Sequence, residues 1–129
     1  MGESDTPIVS VVDDDESLRR SLRNLLGSVG FRVETFASAE AFLQSVHQKQ
    51  TGCLVLDLRM PGMNGLDLLR LLSGTGTRIP AVILTAHGDE EARQRSLQAG
   101  AVAFLTKPFN GDALLDAVRA ALDQRGRRD

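Results

Sequence analysis

A chain of 129 residues with a net charge of −2 is long enough for one domain with its own core and too short for two. No apolar run is long enough to span a bilayer, and the slightly acidic balance argues against a nucleic-acid-binding face. The only cysteine, Cys53, excludes an internal disulfide and fits a cytoplasmic protein. The polar, acidic start is not a secretory signal, and residues 1–6 are expected to be a flexible N-terminus.

In chain order, Ile8-Val9-Ser10-Val11-Val12 is a β-branched run of the kind covered on both faces in a parallel sheet. It stops at Asp13-Asp14-Asp15-Glu16. Asp14 or Asp15 can cap a helix whose stripe is Leu18, Leu22, Leu25, Leu26 and Val29, ended by Gly30. Residues 31–36 alternate and predict a strand nearer the sheet edge, with one wetter face. Ser38 predicts the cap of a second helix striped by Ala39, Phe42, Leu43 and Val46, and residues 48–52 read as polar loop. Leu54 to Leu56 form a third, buried strand, with Cys53 as a small hydrophobe at its start.

Met60-Pro61-Gly62-Met63-Asn64 turns the chain. From Gly65 a third helix carries Leu66, Leu68, Leu69, Leu71 and Leu72, and Ser73-Gly74-Thr75-Gly76 breaks it. Ala81-Val82-Ile83-Leu84-Thr85 is a fourth strand. Asp89 caps a fourth helix over residues 90–99 that is poor in large apolar residues, so loose burial is expected. Ala103-Phe104-Leu105-Thr106-Lys107 is a fifth strand, stopped by Pro108. Asn110 or Asp112 then caps a last helix with Leu114, Leu115, Val118, Ala121 and Leu122 on one face. The polar end, residues 123–129, is read as a tail or the start of a linker.

Strands and helices alternating over residues 7–122 predict one α/β domain: a doubly wound (βα)5 three-layer sandwich with a five-stranded parallel sheet of order 2-1-3-4-5. Ligands of such sheets sit past the carboxyl ends of the central strands. The first strand ends on Asp13 and Asp14, the third on Asp57, the fourth on Thr85 and the fifth on Lys107. In that strand order the first and third strands are neighbours, so Asp13, Asp14 and Asp57 converge. Clustered carboxylates repel one another, and a hard divalent cation such as Mg²⁺ relieves them. Without His or Cys at these positions a zinc site is not expected. Oxygen ligands, one hydroxyl, one ammonium and a free carboxylate suit phosphoryl transfer onto an aspartate.

The set Val12-Asp13-Asp14-Asp15-Glu16, Leu56-Asp57-Leu58-Arg59-Met60-Pro61-Gly62-Met63-Asn64-Gly65, Leu84-Thr85-Ala86-His87-Gly88-Asp89, Gly100-Ala101 and Lys107-Pro108-Phe109 resembles a bacterial two-component response-regulator receiver domain. The flavodoxin-like, CheY-like fold belongs to that family, and the motif versions are most similar to its FixJ-like branch. The resemblance implies that Asp57 is the phosphoacceptor. It implies that Asp13 and Asp14 bind Mg²⁺, Asp14 directly and Asp13 partly through water, with Arg59 adding its backbone carbonyl. Thr85 matches the switch hydroxyl, Lys107 the phosphate-binding lysine and Phe104 the aromatic rotamer switch. The Lys107-Pro108 bond is expected to be cis, as in that family.

The resemblance also implies a sensor histidine kinase as phosphodonor. Its other implications are a protein that catalyses only its own phosphorylation and dephosphorylation, and a phosphorylation-driven homodimer through the fourth helix, fifth strand and fifth helix. The expected output is transcription regulation by a DNA-binding domain absent from this chain; a stand-alone receiver acting through protein contacts is the alternative. Arg59 and His87 flank the approach to Asp57 and are expected to tune the lifetime of the phosphoryl group, with His87 read as a solvated loop residue. Two other classes share parts of the pattern. A flavin-binding module needs a phosphate loop where Asp13-Asp14-Asp15-Glu16 stands. A Mg²⁺-dependent aspartyl-phosphate phosphatase needs a second carboxylate where Arg59 stands.

Overall fold

Five apolar runs pair edge to edge as parallel strands in the computed structural model, which describes residues 6–126. Their order is β2 (Arg32–Phe36), β1 (Ile8–Val12), β3 (Thr51–Leu56), β4 (Ala81–Thr85) and β5 (Ala101–Thr106), the expected 2-1-3-4-5. Helices α1 (Glu16–Ser28), α2 (Ala39–Leu43), α3 (Gly65–Gly74), α4 (Glu90–Gln98) and α5 (Gly111–Gly126) fill the crossovers. Residues 1–5 of the expected flexible N-terminus and residues 127–129 of the expected tail lie outside the described residues. Among the described residues no helix is long and apolar enough to cross a membrane.

The three central strands are buried along their whole length, whereas β2 and β5 are edges and only half covered. Strand alternation deals the central side chains to two cores. Val9, Val11, Cys53, Val55, Val82 and Leu84 meet Leu22, Leu26, Leu114 and Val118 of α1 and α5. Val12, Leu54, Leu56 and Ile83 meet Phe42, Leu68, Leu69 and Leu72 of α2 and α3. Phe36 and Phe42 add an edge-to-face pair with ring centres 5.5 Å apart. Burial pushes the Cys53 thiol up to about 12, so it behaves as an inert core hydrophobe.

Each helix begins where a side chain takes over an unpaired amide. Asp15, Ser38 and Asp89 accept from Leu18, Ala41 and Ala92, and Asn110 accepts from Asp112 and Ala113. Asn64, read only as a turn residue, caps α3 by accepting from Asp67 at 2.8 Å.

Val29, expected on the α1 stripe, lies past the end of that helix and is 42% exposed, and four further details differ from the sequence reading. First, α2 stops at Leu43, because the side-chain amide of Gln48 takes the Leu43 carbonyl at 2.9 Å; Val46, expected on its stripe, is 84% exposed. Second, β3 starts at Thr51, inside the stretch read as polar loop after a 3₁₀ turn at Gln48–Gln50. Thr51 is buried because its hydroxyl pairs with that of Ser10 at 2.7 Å and reaches the His47 carbonyl at 3.1 Å. Third, β5 runs from Ala101 to Thr106, two residues earlier at its start and one earlier at its end than expected. Fourth, Leu71 of α3 faces outward, and α5 continues to Gly126 rather than stopping near Leu122.

As expected, α4 is held loosely. Its only buried residue is Ser96, whose hydroxyl has no partner among the described residues. Its ion pairs, Arg93 with Glu90 and Arg95 with Glu91, are exposed and contribute little. Ser96→Ala removes an unsatisfied buried hydroxyl and improves helix propensity, so it is expected to raise unfolding stability by about 1 kcal/mol. Urea unfolding followed by circular dichroism checks this.

Candidate functional site: an acidic cluster and a lysine past the strand ends

The sheet itself aims the site. The Asp57 N–H donates to the Val12 carbonyl at 3.1 Å and the Asp13 N–H to that of Phe36 at 3.1 Å. On the other side the Lys107 N–H donates to the Thr85 carbonyl at 2.9 Å. Each bond continues a ladder one residue past its strand, so these side chains inherit the rigidity of the sheet.

Asp13, Asp14 and Asp57 come together, each offering a carboxylate oxygen within 4.8 Å of the others. Asp13 and Asp57 are buried and Asp14 is exposed. The Lys107 ammonium lies 2.9 Å from Asp13 Oδ2 and 3.6 Å from Asp57 Oδ2. Asp13 Oδ1 accepts the Asp15 N–H at 2.9 Å, and Arg19 of α1 donates to the Asp13 carbonyl at 2.8 Å. Asp57 Oδ1 is buried and accepts no hydrogen bond among the described residues.

The Lys107 ammonium thus meets two of the three clustered carboxylates. Burial raises the Asp13 carboxyl above its usual range, and Asp57 pushes the same way; the bonds from Lys107 and from the Asp15 amide pull it back only in part. Burial works to lower the Lys107 ammonium, but the hydrogen bond and charge of Asp13, with Asp57 behind it, win and raise it. Lys107 therefore stays charged beside the carboxylates. A buried, unbonded carboxylate oxygen in an all-oxygen donor set fits a hard divalent cation such as Mg²⁺ and does not suit zinc.

Thr85 is fully buried, and its hydroxyl accepts the His87 N–H at 3.2 Å rather than touching the carboxylates. The Lys107-Pro108 peptide is cis. Phe104 of β5 is half-buried against the α2–α3 core and lines a groove between α4 and α5 with Arg93, Thr106 and Phe109. Arg59 and His87 are exposed at the rim.

Sequence reasoning missed three supports of this site. Gly65 packs directly against the backbone carbonyl of Asp57. Arg19 holds the acidic turn, and Glu40 reaches the loop after Asp57. The acidic residues before a helix and the glycine before a leucine run were legible as a cap and a helix start. Contacts across the fold leave no such pattern.

A family model described as the response regulator receiver domain matches residues 9–119. Nodulation protein W of Bradyrhizobium diazoefficiens is 49% identical over 121 residues, which cover 94% of this chain and 53% of that protein. Transcriptional regulatory protein FixJ of Rhizobium meliloti is 42% identical over 113 residues, 88% of this chain and 55% of that protein. The solved structure of response regulator StyR matches with a TM-score of 0.88 at 51% identity, covering 95% of this chain and 62% of that one. The chain thus spans about half the length of the curated relatives it matches, and the FixJ-like resemblance is borne out.

Proposed function

The chain belongs to the response regulator receiver domains of two-component signalling, and on that premise we propose that Asp57 is its phosphoacceptor. The observation that carries this is Asp57 Oδ1, buried but unbonded, beside Asp13, Asp14 and the charged Lys107. Receiver domains work with histidine kinases, and a sensor kinase presenting a phosphohistidine is the donor. A carboxylate oxygen of Asp57 attacks phosphorus in line. The O–P bond forms, the P–N bond breaks, and its electron pair leaves with the imidazole, which takes up a proton.

Asp13, Asp14, Asp57 and the Arg59 backbone carbonyl are the residues that would hold Mg²⁺, with Asp14 the direct carboxylate partner of Asp57. Bound there, Mg²⁺ supplies neutralisation of the charge that gathers between carboxylate and phosphoryl oxygens. Lys107, 2.9 Å from Asp13 and 3.6 Å from Asp57, adds its own positive charge to that neutralisation. The phosphoryl group carries about −1.5 to −2 charges where the carboxylate carried one.

That change is read by Thr85. Its hydroxyl exchanges the His87 amide for a phosphoryl oxygen, the loop between β4 and α4 follows, and Phe104 turns into the space opened. The face of α4, β5 and α5 is thereby changed, a two-state element biased by a local charge. The single buried residue of α4 supports this, since few buried contacts mean low local stability. Homodimerisation through that face, a cytoplasmic location and control of transcription by a DNA-binding domain outside this chain complete the proposal. The length of the relatives supports the last of these. Arg59 and His87 set the phosphoryl lifetime from the rim.

Incubation with a small phosphodonor and Mg²⁺ is expected to add one phosphoryl group to the intact mass, and chelation of Mg²⁺ to abolish the addition. An unchanged mass in Mg²⁺ refutes the assignment. Turnover of a generic phosphomonoester would favour the phosphatase reading instead.

A further inference from the structure

Residues 58–64 join Asp57 to α3 and carry the Arg59 carbonyl. Two contacts that hold this loop come from the loop and its ends: Met60 is buried in the core, and the Gly65 N–H donates to the Leu58 carbonyl at 3.0 Å. A third comes from elsewhere in the chain. Glu40, in the first turn of α2, accepts the Met63 N–H on Oε2 at 2.9 Å. The same carboxylate lies against Gly62, where an added Cβ would stand 2.7 Å from Oε2. Gly62 has φ +79°, a conformation open to glycine, so the loop presents bare backbone to the carboxylate. The bonds from the Met63 amide and from its own amide hold the Glu40 carboxyl below its usual range. Glu40 is exposed, so no requirement of core packing places a carboxylate there.

We propose that Glu40 is a positioning residue for the chemistry of Asp57: it clamps the loop between β3 and α3 onto α2 and so sets where the Arg59 carbonyl stands. This rests on the reading of the site given above. Without Glu40 the loop is held by Met60 and by the bond between Gly65 and Leu58 alone, so residues 61–64 sample more conformations, and a cation that needs the loop ordered must supply that entropy. Glu40 orders the loop beforehand, so less of the binding energy is lost. Losing the clamp therefore weakens the hold on Mg²⁺ and leaves the maximal rate of phosphoryl uptake alone.

The test compares native protein with Glu40→Ala and Glu40→Gln. Mg²⁺ is titrated against amide spectra, hydrogen exchange is followed at the Met63 amide, and phosphoryl uptake from a small donor is timed across Mg²⁺ concentrations. In Glu40→Ala the Met63 amide is expected to exchange faster and the Mg²⁺ Kd to rise by about threefold to tenfold, the worth of one hydrogen bond. Uptake is expected to match the native rate at saturating Mg²⁺. Glu40→Gln keeps an acceptor oxygen and is expected to recover part of the affinity. Native Mg²⁺ affinity in Glu40→Ala overturns the clamp, as does an uptake rate lowered equally at every Mg²⁺ concentration. If the native chain itself neither binds Mg²⁺ nor takes up a phosphoryl group, the site reading fails and the clamp falls with it. The contrast in Met63 exchange would then remain, so the two failures are distinguishable.

Discussion

Asp57→Asn is expected to take up no phosphoryl group from a small donor with Mg²⁺, while unfolding at a higher urea concentration than the native chain when divalent cations are absent. The two effects share a cause. The amide that replaces the carboxylate is close to isosteric with it and offers no anionic nucleophile. In the native chain Asp57 is a buried carboxylate with one oxygen unbonded, facing Asp13 and Asp14. Its attraction to Lys107 acts at 3.6 Å, while that ammonium is engaged with Asp13 at 2.9 Å. Neutralising Asp57 removes a desolvated charge and two repulsions and forfeits the weaker of the two lysine contacts. The amide keeps a polar atom at that position, so the gain comes from the charge alone, about 1–3 kcal/mol for relieved like charges at the effective dielectric of a part-buried site. Mg²⁺ should shrink the difference, because a cation that binds the folded state stabilises the native chain more than the variant. Undiminished labelling of the variant, or a lower unfolding midpoint in chelator, contradicts the argument.

Gly65→Ala is expected to do the reverse and damage fold and chemistry together. The new Cβ meets the backbone carbonyl of Asp57 head-on and the Leu56 side chain at 3.1 Å. Neither has slack, since the Asp57 N–H is fixed to Val12 and Leu56 is fully buried. Overpacking of this kind costs about 1–3 kcal/mol. Relief has to come from moving Asp57 or the start of α3, and a 1 Å displacement of a reacting group can lower the rate about 100-fold. Gly27→Ala is the control: it sits in α1 with nothing within 4 Å of its added Cβ, so better helix propensity should stabilise it by about 0.5–1 kcal/mol. Comparable urea midpoints for the two variants, or native phosphoryl uptake in Gly65→Ala, would contradict the close approach.

The parallel sheet and its buried central strands were legible from local signals, whereas the order 2-1-3-4-5, and with it the meeting of Asp13, Asp14 and Asp57, rested on the usual order of such folds and on the family resemblance. Apolar runs mark strands, and alternation of strands with helices forces parallel pairing, which brings the strand ends to one edge. Thr51 was misread because a polar residue beside a loop looks solvated, and only the fold supplies the Ser10 hydroxyl that makes its burial tolerable. Val46 was misread because its helical spacing is correct; a side-chain bond to the Leu43 carbonyl ends the helix first. The contact of Glu40 with Met63 joins residues 23 apart, and no periodicity reaches that far.

The ladder bonds that carry Asp13, Asp57 and Lys107 past their strands also separate two kinds of evolutionary freedom. Asp13, Asp57 and Lys107 hang from the ends of sheet ladders, so strand backbone sets most of their placement. The face proposed for readout leans on α4, where Ser96 alone is buried, Leu97 is half-buried against the core and the charged side chains are exposed. Exposed α4 side chains that touch none of the site residues can change with effects that add almost independently to those at the site. A lineage can therefore rewrite the surface that α4 shows to a partner many times over while the phosphorylation chemistry beneath is inherited unchanged.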